Sequence, residues 1–262
     1  MNDIAQSYRV ILLLAEAPLV KLDALLATVR KLAPSAEGAE LPDRLQLALS
    51  NDAGRRFTLD ISTPTGEPAE QIELARSQTW DWPEADHAVQ HAHACLSVID
   101  TCVAADNRAE RLFRLNVVLR ALLEHTRAVA LLWEPAQRLV QPEAFIESLA
   151  HGGTVVDHAV NVRLFRIPDG RPGQLLMDTL GLAPFGLPDL QCHFAGADPA
   201  RMGALLAGYA EYVFAKGDVL NEDSLIRGIE SHEEWSCARD DSMALPNREV
   251  VDIRPDKLWV PH

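Results

Sequence analysis

The sequence predicts an α+β protein, because short apolar runs of strand length alternate with longer segments whose apolar residues recur at helical spacing. The chain has 262 residues, of which 48% are apolar and 24% are charged, so it can bury a sizeable core. A strand followed by a helix and a hairpin occurs twice along the chain. We therefore predict two α+β units with antiparallel sheets.

The first unit is predicted over residues 1–105. Its strands are the apolar runs at residues 8–15, 45–49, 57–61 and 94–99. Its helices are predicted at residues 22–32, from the apolar spacing, and at 69–80 and 83–91. The order strand, helix, two strands, helices, strand is that of a ferredoxin-like (split β-α-β) unit.

The second unit is predicted over residues 106–217. Asn107 and Glu110 have the capping-box spacing at the start of its clearest helix. Helices are predicted at residues 107–124, 142–149 and 198–214, and strands at 128–133, 161–167, 173–180 and 189–194. Residues 10–18 and 128–135 are both apolar strands that end in Glu and Pro. We therefore interpret the two units as diverged ferredoxin-like copies.

The net charge of −14 is confined to two segments. Residues 60–110 carry ten acidic and two basic residues, and residues 218–262 carry eleven acidic and five basic residues. We predict that residues 218–262 form an acidic C-terminal extension. Phosphate contacts need Lys and Arg, so this charge disfavours nucleic acid as a ligand and suits a basic protein partner. Solubility is an equally good explanation of the charge.

The sequence predicts a cytoplasmic protein that does not enter the membrane. No apolar run approaches the roughly 18 residues that a membrane span needs. The residues before the apolar run at 10–14 lack the basic region of a signal peptide. The four cysteines, Cys95, Cys102, Cys192 and Cys237, form no C-x-x-C pair. We therefore expect reduced, mostly buried thiols and no cofactor.

The strongest candidate for chemistry is the triplet His87, His91 and His93. On a helix, His87 and His91 would share a face, as helical zinc ligands do. The Glu of a zinc protease motif is missing, because Ala88 follows His87. A metal-assisted hydrolase is the alternative function that this triplet would support, and structural histidines are the more common outcome. No nucleophile elbow or phosphate loop occurs, so we assign no catalytic residue and expect no enzyme.

Aromatic residues within the two acidic segments are the predicted partner-binding residues. An aromatic side chain in an acidic surround can anchor a cationic partner, although core packing is the ordinary role of a Trp. Trp259 also lies in the second segment. The predicted contact residues are Trp80, Asp81, Trp82, Glu84, Asp86, Glu233, Glu234, Trp235, Asp240 and Asp241.

Two stretches resemble a bacterial family, domain of unknown function 4261. Residues 82–98 resemble its helix-to-strand segment, and residues 181–190 (GLAPFGLPDL) resemble its Gly-Leu, Phe-Gly, Pro-acid turn. The order of elements across residues 8–220 is also similar to that of the family. The family has no established activity, so the resemblance implies no catalytic residue.

Some members of that family look like immunity proteins encoded beside toxins of the type VI secretion system, including nucleases. The resemblance therefore implies an interaction protein that binds and neutralises a cognate, basic toxin. The acidic segments suit that role, because a nuclease presents a basic surface to its substrate. A chaperone-like adaptor that binds several unrelated partners is a further alternative.

Overall fold

Two units, Met1–Gly153 and Thr154–His262, make up the chain in the computed structural model. The structure describes residues 7–64, 68–101, 107–167 and 173–255. Each unit contains one mainly antiparallel sheet, and six α-helices occur within the described residues, which confirms the predicted α+β class. None of these helices is long and apolar enough to cross a bilayer.

The first unit contains a seven-stranded sheet in the order β2-β3-β4-β5-β1-β6-β7. Its elements are β1 (Tyr8–Leu14), α1 (Leu22–Val29), β2 (Glu37–Leu41), β3 (Arg44–Ser50), β4 (Arg56–Ser62), α2 (Ala69–Gln78), α3 (Ala85–Gln90), β5 (Ala94–Asp100), α4 (Arg108–His125), β6 (Ala128–Trp133), β7 (Arg138–Val140) and α5 (Pro142–Ala150). β1 is buried on both faces from Val10 to Leu14, as its unbroken apolar run requires. β2, by contrast, is an exposed edge strand.

The structure does not confirm the ferredoxin-like arrangement predicted for this unit. In a split β-α-β unit the first strand lies between the third and the fourth, whereas here the fourth predicted strand, β5, lies between β1 and the third, β4. The strand that was predicted in the second unit, at residues 128–133, is therefore β6 of the first sheet. The 18-residue helix α4 contacts α1, β4 and β5. It thereby returns the chain to β1. The first unit ends at Gly153, whereas the sequence predicted a boundary at residue 105.

The second unit contains a six-stranded sheet in the order β11-β12-β13-β10-β9-β8. Its elements are β8 (Asn161–Arg166), β9 (Gln174–Leu180), β10 (Asp189–Ala195), α6 (Pro199–Lys216), β11 (Leu225–Arg227), β12 (Glu234–Asp241) and β13 (Glu249–Arg254). Only the pairing of β10 with β13 is parallel among the described strands. Asp198 caps α6 by accepting a hydrogen bond from the backbone N–H of Ala200 at 3.0 Å.

Residues 218–255 are not the acidic extension that the charge count predicted. They supply β11, β12 and β13, which are half of the strands in the second sheet. Along β12, the buried side chains of Trp235 and Cys237 alternate with more exposed polar ones. This alternation of period two is the pattern of a strand with one buried face, and the density of acidic residues concealed it.

Candidate functional site

The structure does not bring the three predicted histidines together. α3 places His87 and His91 on one exposed face with ring centroids 4.5 Å apart, and His91 Nδ1 lies 2.7 Å from the carbonyl oxygen of His87. His93 follows the helix, donates its backbone N–H to Leu14 at 2.8 Å, and lines a different cavity. Among the described residues, no group of three or more His, Cys, Asp or Glu side chains could hold a metal ion.

The acidic and aromatic segment from Trp80 to Asp86 is only partly an open surface. The Trp80 side chain is 68% exposed, and Glu84 is also exposed. Trp82 packs against the core cluster of the first unit, and Asp81 accepts a hydrogen bond from Arg138. Asp86 accepts one from Arg76 at 2.6 Å, and this hydrogen bond lowers the pKa of the Asp86 carboxyl.

The predicted contact residues of the second unit also differ in role. Trp235 is 2% exposed and therefore belongs to the core, so its prediction as a surface anchor is wrong. Asp240 pairs with Arg254 at 3.1 Å, and Glu233 accepts a hydrogen bond from the backbone of Glu230 at 2.9 Å. Glu234 and Asp241 are exposed. Trp259 and Cys102 lie outside the described residues.

Arginines from elsewhere in the fold neutralise much of the acidic charge in residues 60–110. Six carboxylates of this segment form ion pairs, namely Asp60, Glu73, Asp81, Asp86, Asp100 and Glu110. Four of their partners, Arg44, Arg111, Arg114 and Arg138, lie outside the segment in sequence. The uneven charge of the sequence therefore does not become an equally uneven surface in the first unit.

In the second unit, several acids have no ion-pair partner among the described residues. Within the described residues, Glu222, Asp223, Glu233 and Glu234 make no ion pair. Glu222, Asp223 and Glu234 are exposed, and Glu233 is half-buried. Asp223 lies two residues before the edge strand β11, and Glu234 lies opposite Arg227 in the neighbouring strand. We call these four residues the acidic edge.

A buried polar row crosses the second sheet. The register places Arg163, Asp178, Gln191 and Asp252 side by side on β8, β9, β10 and β13, and each is at most 2% exposed. Arg163 donates to both oxygens of Asp178, from Nε to Oδ1 at 2.9 Å and from Nη2 to Oδ2 at 2.5 Å. This bidentate geometry is the strong form of an arginine–carboxylate pair.

Arg248 joins this row to a second buried carboxylate. Its Nη2 donates to Asp178 Oδ2 at 2.8 Å, and its Nε donates to Asp189 Oδ2 at 3.0 Å. Asp189 Oδ1 also accepts hydrogen bonds from the Thr179 hydroxyl and the Leu182 backbone, each at 3.2 Å. Burial raises the pKa of Asp189, and the charge of Arg248 opposes that rise.

Both arginines also hold the loop between β12 and β13. Arg248 donates Nη1 to the carbonyl oxygens of Ala244 and Pro246, at 3.2 and 2.9 Å. Arg163 donates Nη1 to the carbonyl oxygen of Leu245 at 2.9 Å. The network therefore ties a surface loop to the sheet, and its two guanidinium groups donate hydrogen bonds to the carboxyl groups of Asp178 and Asp189. A carboxylate whose oxygens are already used in this way is a structural group rather than a base.

The thiols of the second sheet are not nucleophiles. Cys192 and Cys237 are 0% and 3% exposed. Burial raises the pKa of Cys192 far above its usual range and that of Cys237 to about 11. Only the thiolate attacks an electrophile, so both side chains act as small apolar groups at neutral pH.

The aspartates of the buried network could have been recognised in the sequence, although their arginine partners could not. Asp178 lies within one buried strand and Asp189 begins another, and an acid at a buried strand position indicates a paired charge. The partners of Asp178, at Arg163 and Arg248, lie 15 and 70 positions away. Those separations depend on strand order, so spacing along the chain could not identify the arginines.

The fold and the site define an α+β protein with a buried, hydrogen-bonded polar centre in its second unit and no metal-holding cluster among the described residues. Residues 178–254 match the model of a family described as Domain of unknown function (DUF4261). This match includes the motif at residues 181–190 and supports the resemblance over that part of the chain, whereas residues 82–98 lie outside it. No curated protein matches the chain, and no solved structure does.

Proposed function

We propose that this chain is an interaction protein that binds a basic protein partner, most concretely a type VI secretion immunity protein that neutralises a cognate toxin. The observation that carries the proposal is the acidic edge. Two of its four carboxylates precede the edge strand β11 in sequence and two follow it. None of the four makes an ion pair within the described residues. A local excess of charge of one sign at a sheet edge steers an oppositely charged partner to that edge.

The arrangement of charge in the buried network also suits a binding role. The two arginines of the buried network are hydrogen-bonded to Asp178 and Asp189 and also hold the loop at residues 242–248. A neutraliser of a nuclease needs a fixed surface and no reacting group, because it acts by covering the basic site of the toxin. The proposal includes a protein rather than nucleic acid as the ligand, and a cytoplasmic location, because a nuclease toxin would act there.

The metal-assisted hydrolase is less well supported. Its ligand set would need His87, His91 and His93 around one ion, yet His93 lines a different cavity from the other two. The exposed pair that remains, His87 and His91, is two ligands short of a closed tetrahedral site. Zinc that copurifies in stoichiometric amount and is lost in His91→Ala would favour this function over the interaction protein.

The test of the proposal is complex formation with the protein encoded next to this chain's gene. We expect a stable complex on copurification, with an association rate that falls as salt is raised because the charges are screened. The variant that combines Glu222→Gln, Asp223→Asn and Glu234→Gln should slow association about tenfold at low salt. It leaves the turn hydrogen bond of Glu233 intact.

The matched control removes three exposed carboxylates from the first unit, with Glu70→Gln, Glu143→Gln and Glu147→Gln. This variant has the same net charge as the first one, so a specific acidic edge predicts little change in its association rate. Equal slowing by both variants would reduce the effect to overall charge. A purified chain with no affinity for any product of the adjacent genes would overturn the proposed function.

A further inference from the structure

A groove of about 600 Å³ lies between α6 and the end of β11. Ala204, Leu205, Gly208 and Tyr212 line it from the helix, and residues 227–229 line it from the sheet. Tyr212 is 45% exposed, so the aromatic part of the lining faces solvent. Open, largely apolar grooves with an aromatic wall are typical binding sites for a partner side chain.

Hydrogen bonds fix both walls of the groove. The Tyr209 hydroxyl on α6 donates to the carbonyl oxygen of Arg227 at 2.8 Å. Arg201 donates to the carbonyl oxygen of Ile229 at 3.3 Å and to Glu230 Oε1 at 2.7 Å. The helix and the strand end are therefore held apart at a set distance, and the groove is formed before any partner arrives.

Gly228 keeps the sheet side of the groove in place. A Cβ atom at this position would lie 2.4 Å from the indole ring of Trp235, which is buried in the core. The indole of Trp235 thus packs directly on the backbone of Gly228, and only glycine allows that approach. Trp235, which was predicted as a surface anchor, is therefore a buried residue that packs against the backbone of the groove wall.

The rim of the groove has a net negative charge. Asp198, Glu230 and Glu233 all interact electrostatically with Arg201. Glu234 lies opposite Arg227 in the β11–β12 pair. Four carboxylates therefore surround two arginines, and two of the four, Glu233 and Glu234, belong to the acidic edge. An apolar groove with this rim is complementary to an apolar side chain that has cations beside it.

We propose that this groove docks an aromatic or large aliphatic side chain of a protein partner, flanked in the partner by Lys or Arg. The apolar side chain fills the space over Gly208 and Leu205, and the flanking cation meets Glu233 and Glu234 at the rim. The proposal rests on the proposed function, because it locates part of the basic partner's contact on the second unit. Tyr212 adds a ring face against which the cation can lie.

A displayed library of random 12-residue peptides, selected on the full chain, tests the groove without knowledge of the partner. We expect selected peptides to carry an aromatic or large aliphatic residue beside Lys or Arg. Their affinities should fall at least about tenfold on Gly208→Trp, since that side chain fills the groove. Gly208→Ala is the matched control and should bind as wild type does. A Cβ at Gly208 meets nothing within 4 Å, so both variants should fold.

The charge of the rim is tested separately. The Glu233→Gln, Glu234→Gln double variant should weaken the selected peptides about threefold to tenfold at low salt and less at high salt. Selection of no peptides, peptides without cationic residues, or peptides that bind Gly208→Trp unchanged would each overturn the proposal. Because these measurements use no toxin, their failure is distinguishable from failure of the immunity function.

A shortened chain tests the alternative that residues 256–262, which contain Leu258, Trp259 and Val260, would compete for the groove. A chain that ends at Pro255 decides between this segment and a partner. Equal peptide affinity of the shortened and full chains supports docking of a partner. Selection that yields no peptide on the full chain but does yield peptides on the shortened chain would assign the groove to residues 256–262 and would overturn the proposed partner site.

Discussion

At the scale of single residues, burial decides how much the loss of one charge from an ion pair destabilises the fold. The side chains of Arg163 and Asp178 are 2% and 1% exposed, whereas those of Arg201 and Glu230 are 52% and 51% exposed. A buried ion pair costs desolvation, and losing one partner leaves the other charge buried and unpaired. An exposed pair is screened by water and contributes little. The two pairs have similar lengths and opposite consequences.

Replacement of Arg248 tests this argument. Arg248→Met leaves Asp189 without its cation and Asp178 with one cation instead of two. We expect the free energy of unfolding to fall by about 3–5 kcal/mol, measured by urea denaturation. Arg201→Met, at the exposed pair with Glu230, is the control and should leave the urea midpoint almost unchanged. Similar midpoints for the two variants would contradict a stabilising role for the buried network.

At the scale of elements, long and strongly patterned segments were predicted well and short polar ones were not. The helices predicted at residues 107–124 and 198–214 are α4 and α6, displaced by at most two residues at either end. β2 was missed, because its sequence EGAEL lies at the sheet edge without a buried residue. β11 was missed because three residues show too little alternation. Edge strands lack the burial that makes a pattern visible.

Gly208 on α6 provides a prediction about helix stability. A Cβ at Gly208 would meet nothing within 4 Å, so Gly208→Ala should raise the free energy of unfolding by about 0.5–1 kcal/mol, because alanine loses less backbone entropy in a helix. Gly203→Ala is the comparison in the same helix, where the new methyl would lie 3.1 Å from Met177 Cε. We expect a smaller gain there. Thermal unfolding of both variants would show whether the gain follows the available space.

At the scale of the whole molecule, the charge of the sequence and the charge of the surface are different quantities. Residues 60–110 hold a net charge of −8 in the sequence, yet Arg44, Arg111, Arg114 and Arg138 come to them through the fold. Which arginine reaches which carboxylate depends on strand order, and composition contains no strand order. The sequence could therefore predict an acidic protein, and only the structure could locate the acidic edge.

The second unit and the family match begin at different residues, so fragments cut at the two boundaries should differ in whether they fold. The unit begins at Thr154, whereas the match begins at Asp178 and so excludes β8 with Arg163. A fragment of residues 154–262 should unfold cooperatively in urea, because it keeps all six strands and α6.

A fragment of residues 178–262 should not unfold cooperatively. It loses β8, residues 174–177 of β9 and the bidentate partner of Asp178, and an unpaired buried carboxylate opposes folding. The matched comparison is Arg163→Met in the 154–262 fragment, which removes the cation and keeps the strand. If that variant stays as stable as its parent while the 178–262 fragment fails, the backbone pairing of β8 and the first half of β9 is the essential contribution. Cooperative folding of the shorter fragment would show that neither β8 nor Arg163 is required.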